Sequence, residues 1–262
     1  MSRFPLANVH PEAKIGNNVT IEPFATVQKD VVIEDGSWIG PNAMIWDGSR
    51  IGKNVKIYPG ASVSSIPQDL KFAGEKTETH IGDNTVIREC VTISRGTTDK
   101  FKTVIGKNCL LMAYVHVAHD CTIGNNCILV NAVQVAGHVT IDDWAIIGGA
   151  SALHQFVKVG AHVMVSGGSL VRKDIPPFTK AAREPLTYAG INTIGLRRRG
   201  FSSEKITEIQ EIYRYIFLKG INNSKALEIV EKEISGSEER NYILDFIKTS
   251  ERGIMKGYGG ND

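Results

Sequence analysis

Counting in steps of six from Val9 lands on an aliphatic residue almost without a break. Of the 28 positions in this phase between 9 and 171, 25 are Ile, Leu or Val, and the exceptions are Asp69, Glu75 and Asp99. These three fall in two stretches, SIPQDLKFAGEKTET (65–79) and TTDKFKT (97–103), which read as inserted loops. The residue four places after each aliphatic is small or β-branched (Val19, Ala25, Val31, Ser37, Ala43), and Gly, Asp or Asn fill the turn between, as in IGNNVT and IGKNCL. One large and one small inward residue per six, followed by a bend, describes a short strand that turns and repeats. Three such sides close a triangular coil of 18 residues, and coils stacked at strand spacing, roughly 4.8 Å, give a prism on the order of 40 Å long.

Composition agrees with a repeat protein. The 262 residues include 26 Gly and only 7% aromatics, so the core is aliphatic and the turns are many. A formal net charge of +2 is too even for wholesale binding to nucleic acid or a membrane surface. No apolar run approaches the roughly 20 residues of a bilayer span, and MSRFPLANVHPEAK lacks the apolar core of a signal peptide, so a cytoplasmic protein is expected. The four cysteines, Cys90, Cys109, Cys121 and Cys127, show neither CxxC nor finger spacing and read as small buried thiols; the last three fall on the inward position.

The rhythm stops after the Pro-rich KDIPPFTKAAREP (173–185). Helical spacing follows in 202–219, with Ile206, Ile209, Ile212, Tyr213, Ile216 and Phe217 on one face, and again in 223–234 and 238–250, where Ser235 and Glu238 form a candidate capping box. The division expected is therefore a β-helix over 1–185 and a helical domain over 186–262 that packs on the prism end and covers its last coil.

Four of the seven histidines, His116, His119, His138 and His154, occupy outward hexad positions in one short window. Residues 18 apart stack, so His119 lies below Gly137 and Gln155, and Asp120 below His138. An imidazole beside a carboxylate suits a general base, and a glycine one coil above can offer its N–H to an oxyanion. No outward Ser or Cys shares the strip, which favours direct attack by an acceptor hydroxyl over a covalent intermediate.

The hexads over 9–176 resemble the hexapeptide-repeat, left-handed parallel β-helix family. PQDLKFAGE (67–75), IRECVTISRGT (87–97), LLMAYVHVAHDCTIGNNCI (110–128), AGHVTIDDWAIIGG (136–149), LHQFVKVGAHVMV (153–165) and LRRRGFS (196–202) are similar to the signatures of the bacterial UDP-N-acetylglucosamine O-acyltransferases, which begin lipid A synthesis. The resemblance implies transfer of a (3R)-3-hydroxyacyl chain from acyl carrier protein to the glucosamine 3-hydroxyl of UDP-N-acetylglucosamine, without a cofactor or metal, by a homotrimer with sites between subunits. By the same resemblance His119 is the base, Asp120 its neighbour and Gly137 the oxyanion donor. Asp69 and Lys71 reach into the cleft from the inserted loop. His116, His138, His154 and Gln155 match sugar, phosphate or thioester-pocket positions, and Asn192, Arg198 and Arg199 match nucleotide contacts. A basic rim would draw in the acidic carrier protein, and Gly167 would leave the acyl groove long. Ser94 stands where the family commonly has His, and Ile194 where it often has an acidic residue. The alternatives are a zinc hydratase like the γ-class carbonic anhydrases, which clustered histidines could serve, and a non-catalytic trimeric scaffold.

Overall fold

In most hexads the first and fifth residues turn inward and the fourth takes a left-handed backbone conformation at a corner. A computed structural model describes residues 4–257 of the chain, so the ends of the two expected domains, 1–3 and 258–262, lie outside the described residues. The corner residues share one phase: Asn18, Asn42, Asn54, Asn84, Asn108 and Asn126 have φ between 52° and 58°, and larger residues such as Tyr114, His138 and Trp144 lie at 63–64°. Asn is favoured there because its short polar side chain tolerates positive φ. Where a bulky side chain occupies the corner, the repeat on either side dictates the conformation.

The short strands stack in parallel into three sheets of 9, 8 and 10 strands, the faces of a left-handed parallel β-helix. Register is set by the repeat: His116 pairs with Gln134 and then Ala152, each 18 residues on. The two inserts preserve it. Val63 pairs with Ile93, thirty residues away, and Ile81 with Ile105, twenty-four away, so the inserts occupy two hexads and one. The core is a column of aliphatic residues, Ile33, Ile39, Ile45, Ile51 and onward, nearly all without exposed surface. Val9 and Ile15, in the first coil, are only partly buried, as expected where a stack ends. Cys109, Cys121 and Cys127 fill small inward places; Cys90 departs from the expectation of a buried thiol, because it sits on a corner at φ 56° and is exposed.

The open end is closed by two devices. Thr187–Ile191 folds back antiparallel on Thr179–Ala182 and completes one sheet with a strand of opposite direction. Four helices follow: α1 (Thr193–Arg198), α2 (Ser203–Phe217), α3 (Asn223–Glu233) and α4 (Glu238–Lys248). Ser237, not Ser235, caps α4, its side chain accepting from the Arg240 N–H, because Ser237 directly precedes the first helical residue. The buried Tyr213 of α2 donates to the Pro177 carbonyl at 2.6 Å. Tyr242 of α4 reaches a coil lower, donating to Asp142 Oδ2 at 2.5 Å and accepting from the Ala161 N–H at 2.9 Å. Among the described residues, no helix is long and apolar enough to cross a membrane.

Candidate active site

Three corner columns run up the prism: Asp120, His138 and Phe156; Asn126, Trp144 and His162; Ala132, Ala150 and Gly168. Beside the first lies a cleft of about 430 Å³, floored by the sheet face that carries His116, Gln134 and Ala152, walled by Ala118, His119 and Gly137, and edged by Gln68, Ser94 and Gln155.

His119 is held through one nitrogen. Its Nδ1 lies 2.8 Å from Asp120 Oδ2, and its Nε2 turns toward Asp69 Oδ2 at 4.0 Å. Asp120 has no exposed surface. The insert 97–103 supplies its partners: Oδ1 accepts from the N–H groups of Thr97 at 3.0 Å and Lys100 at 3.2 Å, and Oδ2 accepts from the Thr97 hydroxyl at 2.7 Å. Burial alone would push this carboxyl up, yet the Thr97 hydroxyl, the His119 imidazole and the two N–H groups together hold it below the usual carboxylate range. The pair is thus a buried, ionised carboxylate fixing one nitrogen of an imidazole whose other nitrogen faces the cleft.

Gly137 lies one coil above, against the ring. Among the described residues its N–H donates no hydrogen bond, while its carbonyl accepts from Phe156 N–H at 3.1 Å. His138, at the next corner of the column, meets His119 edge-on with centroids 5.1 Å apart and stacks on Phe156 at 4.5 Å. Its Nδ1 comes within 3.1 Å of Asp99 Oδ2 without hydrogen-bond geometry. His116 pairs through Nδ1 with the Thr92 hydroxyl at 2.8 Å; burial, and then the neighbouring His119, push it below the usual imidazole value.

The other residues singled out in the sequence distribute differently. Asp69 lies near His119, whereas Lys71 is exposed and its backbone N–H caps Asp69 Oδ1 at 3.0 Å. His154 is exposed, its Nδ1 3.1 Å from the Gln155 carbonyl. Asn192, Arg198 and Arg199 do not join the cleft. Asn192 is the N-cap of α1 and donates to the His162 carbonyl at 2.9 Å, and Arg199 lies over Trp144, donating to its carbonyl at 3.1 Å, so both belong to the second corner column. Arg198 is exposed in the last turn of α1. Gly167 stands beside the third column, where a Cβ would come 3.1 Å from the Gly149 carbonyl oxygen. Ser94 is a buried cleft residue and Ile194 is exposed. Sequence reasoning missed Thr97, Lys100, Gln68 and Gln134. The broken hexad at 97–103 signalled an insert, but nothing in it named Asp120 as its target.

The bacterial transferase hexapeptide model matches residues 30–65 and 102–135 of this prism, which places the chain among the hexapeptide-repeat transferases. The model described as UDP N-acetylglucosamine O-acyltransferase, domain 2, matches 174–255. The chain belongs to the UDP-N-acetylglucosamine O-acyltransferase family. A relative from Chlorobaculum parvum, named acyl-(acyl-carrier-protein)–UDP-N-acetylglucosamine O-acyltransferase, is 53% identical over 194 residues, 74% of each chain. The crystal structure of a UDP-N-acetylglucosamine acyltransferase from Bacteroides fragilis superposes with TM-score 0.94 at 54% identity, covering 96% of this chain and 99% of that one. The Francisella novicida UDP-N-acetylglucosamine acyltransferase gives the same TM-score at 40% identity over 97% and 94% of the two chains.

Proposed function

We propose that this protein transfers a (3R)-3-hydroxyacyl group from acyl carrier protein to the glucosamine 3-hydroxyl of UDP-N-acetylglucosamine, the first step of lipid A synthesis. The observation that carries the mechanism is the His119–Asp120 pair, with Nδ1 on a buried carboxylate and Nε2 open to the cleft. His119 Nε2 takes the proton of the sugar hydroxyl as its oxygen attacks the thioester carbonyl. The Gly137 N–H receives the oxyanion. Collapse of the tetrahedral adduct breaks the C–S bond, and the imidazolium returns its proton to the departing thiolate. Asp69 and Lys71 frame the cleft from the first insert, and His116, His138, His154 and Gln155 line the approach of sugar and thioester.

Asn192 and Arg199 lie on a different corner from His119, with Arg198 beside them in α1, which supports a homotrimer in which a neighbouring subunit brings its second corner toward the first corner of this one. Guanidinium forks there suit a diphosphate. Gly167 leaves the acyl groove long, and the site of action is the cytoplasm.

A zinc hydratase has one observation in its favour: His119, Asp120 and His138 offer ligand atoms within 4.8 Å of one another. Both oxygens of Asp120 are already engaged by Thr97, Lys100 and His119, and a bound ion would have to displace those donors. Incubation with UDP-N-acetylglucosamine and 3-hydroxyacyl carrier proteins of several lengths tests the proposal. Product is expected from the wild type and a loss of at least about a hundredfold in His119→Ala. Absence of product at every length, with stoichiometric zinc by elemental analysis, would replace it with the hydratase.

A further inference from the structure

The insert 97–103 directs five polar contacts at a single residue, Asp120. Besides the three donors to the Asp120 carboxylate, the Lys100 ammonium donates to the Asp120 carbonyl at 3.0 Å, and the Thr103 hydroxyl accepts from the Asp120 N–H at 2.9 Å. Within this clamp the Thr97 hydroxyl has a fixed polarity. It accepts from the Asp99 N–H at 3.3 Å, so its own proton is directed to Asp120 Oδ2 at 2.7 Å. That oxygen is the one that faces His119 Nδ1. Thr97 is itself buried, so no water competes for the place.

We propose that Thr97 is a positioning residue for the reaction: its hydroxyl and the His119 Nδ1–H converge on one oxygen of Asp120, which fixes the rotation of the carboxylate and so keeps the unprotonated nitrogen of His119 turned to the acceptor. The inference rests on His119 being the base. The hydroxyl also tempers the pair. A carboxylate that accepts an additional hydrogen bond is a weaker proton acceptor, so Asp120 stabilises the imidazolium less than it would alone, and the imidazole gives its proton up to the thiolate more readily. The other charged or titratable groups about His119 are Asp69 from the first insert, His116 and His138 from neighbouring coils, and Asp99 and Lys100 from the second insert. None of them donates to Oδ2, so removing the Thr97 hydroxyl changes one contact of the His119–Asp120 pair; outside the pair it frees the Asp99 N–H.

The test is the pH dependence of acyl transfer in Thr97→Val and Thr97→Ser, with His119→Ala alongside. In the valine variant kcat is expected to fall about tenfold while KM for UDP-N-acetylglucosamine stays near that of the wild type. The acid limb of kcat/KM should move to higher pH by about half a unit or more, because Asp120 relieved of a donor holds the imidazolium more firmly. The serine variant keeps the hydroxyl and should restore both. Should the valine variant unfold, Thr97→Ala removes the hydroxyl without setting a methyl group against the carboxylate and carries the same expectation. Wild-type kcat with an unmoved acid limb in a folded variant lacking the hydroxyl overturns the inference while leaving a dead His119→Ala, and hence the base, standing. Equal loss in the serine and valine variants overturns it as well, since the methyl group and not the hydroxyl would then matter. Undiminished activity in His119→Ala removes the base itself and is recognised independently of position 97.

Discussion

A Cβ at position 137 would stand 2.9 Å from both Cε1 and Nε2 of His119. The imidazole cannot swing away cheaply, because Asp120 holds its other nitrogen. Gly137→Ala is therefore expected to displace the ring or the Gly137 N–H by a few tenths of an ångström. Either shift should lower kcat about a hundredfold, with little change in the thermal midpoint. Steady-state kinetics beside a melting curve checks this, and an alanine variant with wild-type kcat would show that the contact is slack.

Asp120 links activity to acid stability. Its carboxyl sits below the usual range in the folded state despite burial, owing to the Thr97, His119 and backbone donors. The folded state thus binds its proton less readily than the unfolded chain, and the stability this contributes is present above the ordinary carboxylate range and lost as pH falls through the lowered value. Asp120→Asn should be less stable than the wild type at neutral pH, with the gap narrowing toward pH 3 in urea titrations. Its kcat should fall about a hundredfold or more, since an amide can hold the imidazole but cannot stabilise its charged form.

His162 offers the opposite kind of residue with the same sign. Burial, and then the charge of Arg199, push its imidazole down to about 4, and its ring stacks with Trp144 and Phe178 while Phe201 meets it edge-on. The unfolded chain takes up this proton near pH 6.5 and the folded one only near 4, so stability is lost as pH falls between those values, by a few kcal/mol at most. His162→Phe should flatten that part of the stability profile, and NMR titration of the ring should find it neutral down to about pH 4.

Tyr242 ties α4 to the prism through one hydroxyl that donates to Asp142 and accepts from the Ala161 N–H. Tyr242→Phe leaves both partners without it. A loss of about 1–3 kcal/mol in unfolding free energy is expected, with transfer activity unchanged. Loss of activity at full stability would instead connect α4 to the chemistry.

The prism was legible because its core uses one residue in six and tolerates few exceptions, so Ile33, Ile39 and Ile45 announce their own stacking. The pairing of His119 with Asp120, and the place of Gly137 above them, follow from the same counting. What escaped was whatever does not obey the period. Thr97 and Lys100 reach Asp120 from an insert whose path depends on hydrogen bonds made only after folding. Six-residue α1 is too short to show a face, and Ser235 competes with Ser237 for a cap that geometry alone decides. Arg199 read as part of a basic run, yet it is half-buried over Trp144, a contact 55 residues away that no local pattern reports.

Because the inserts occupy whole hexads, the prism behaves as a scale with graduations that cannot be subdivided. A segment that leaves the prism and rejoins it in phase lets every residue above return to the face it held before; a residue added within a coil would instead turn His138, Phe156 and all later corners off their edge. Loops can therefore diversify around this cleft while the chemistry stays in alignment, provided each returns the chain to the phase it left.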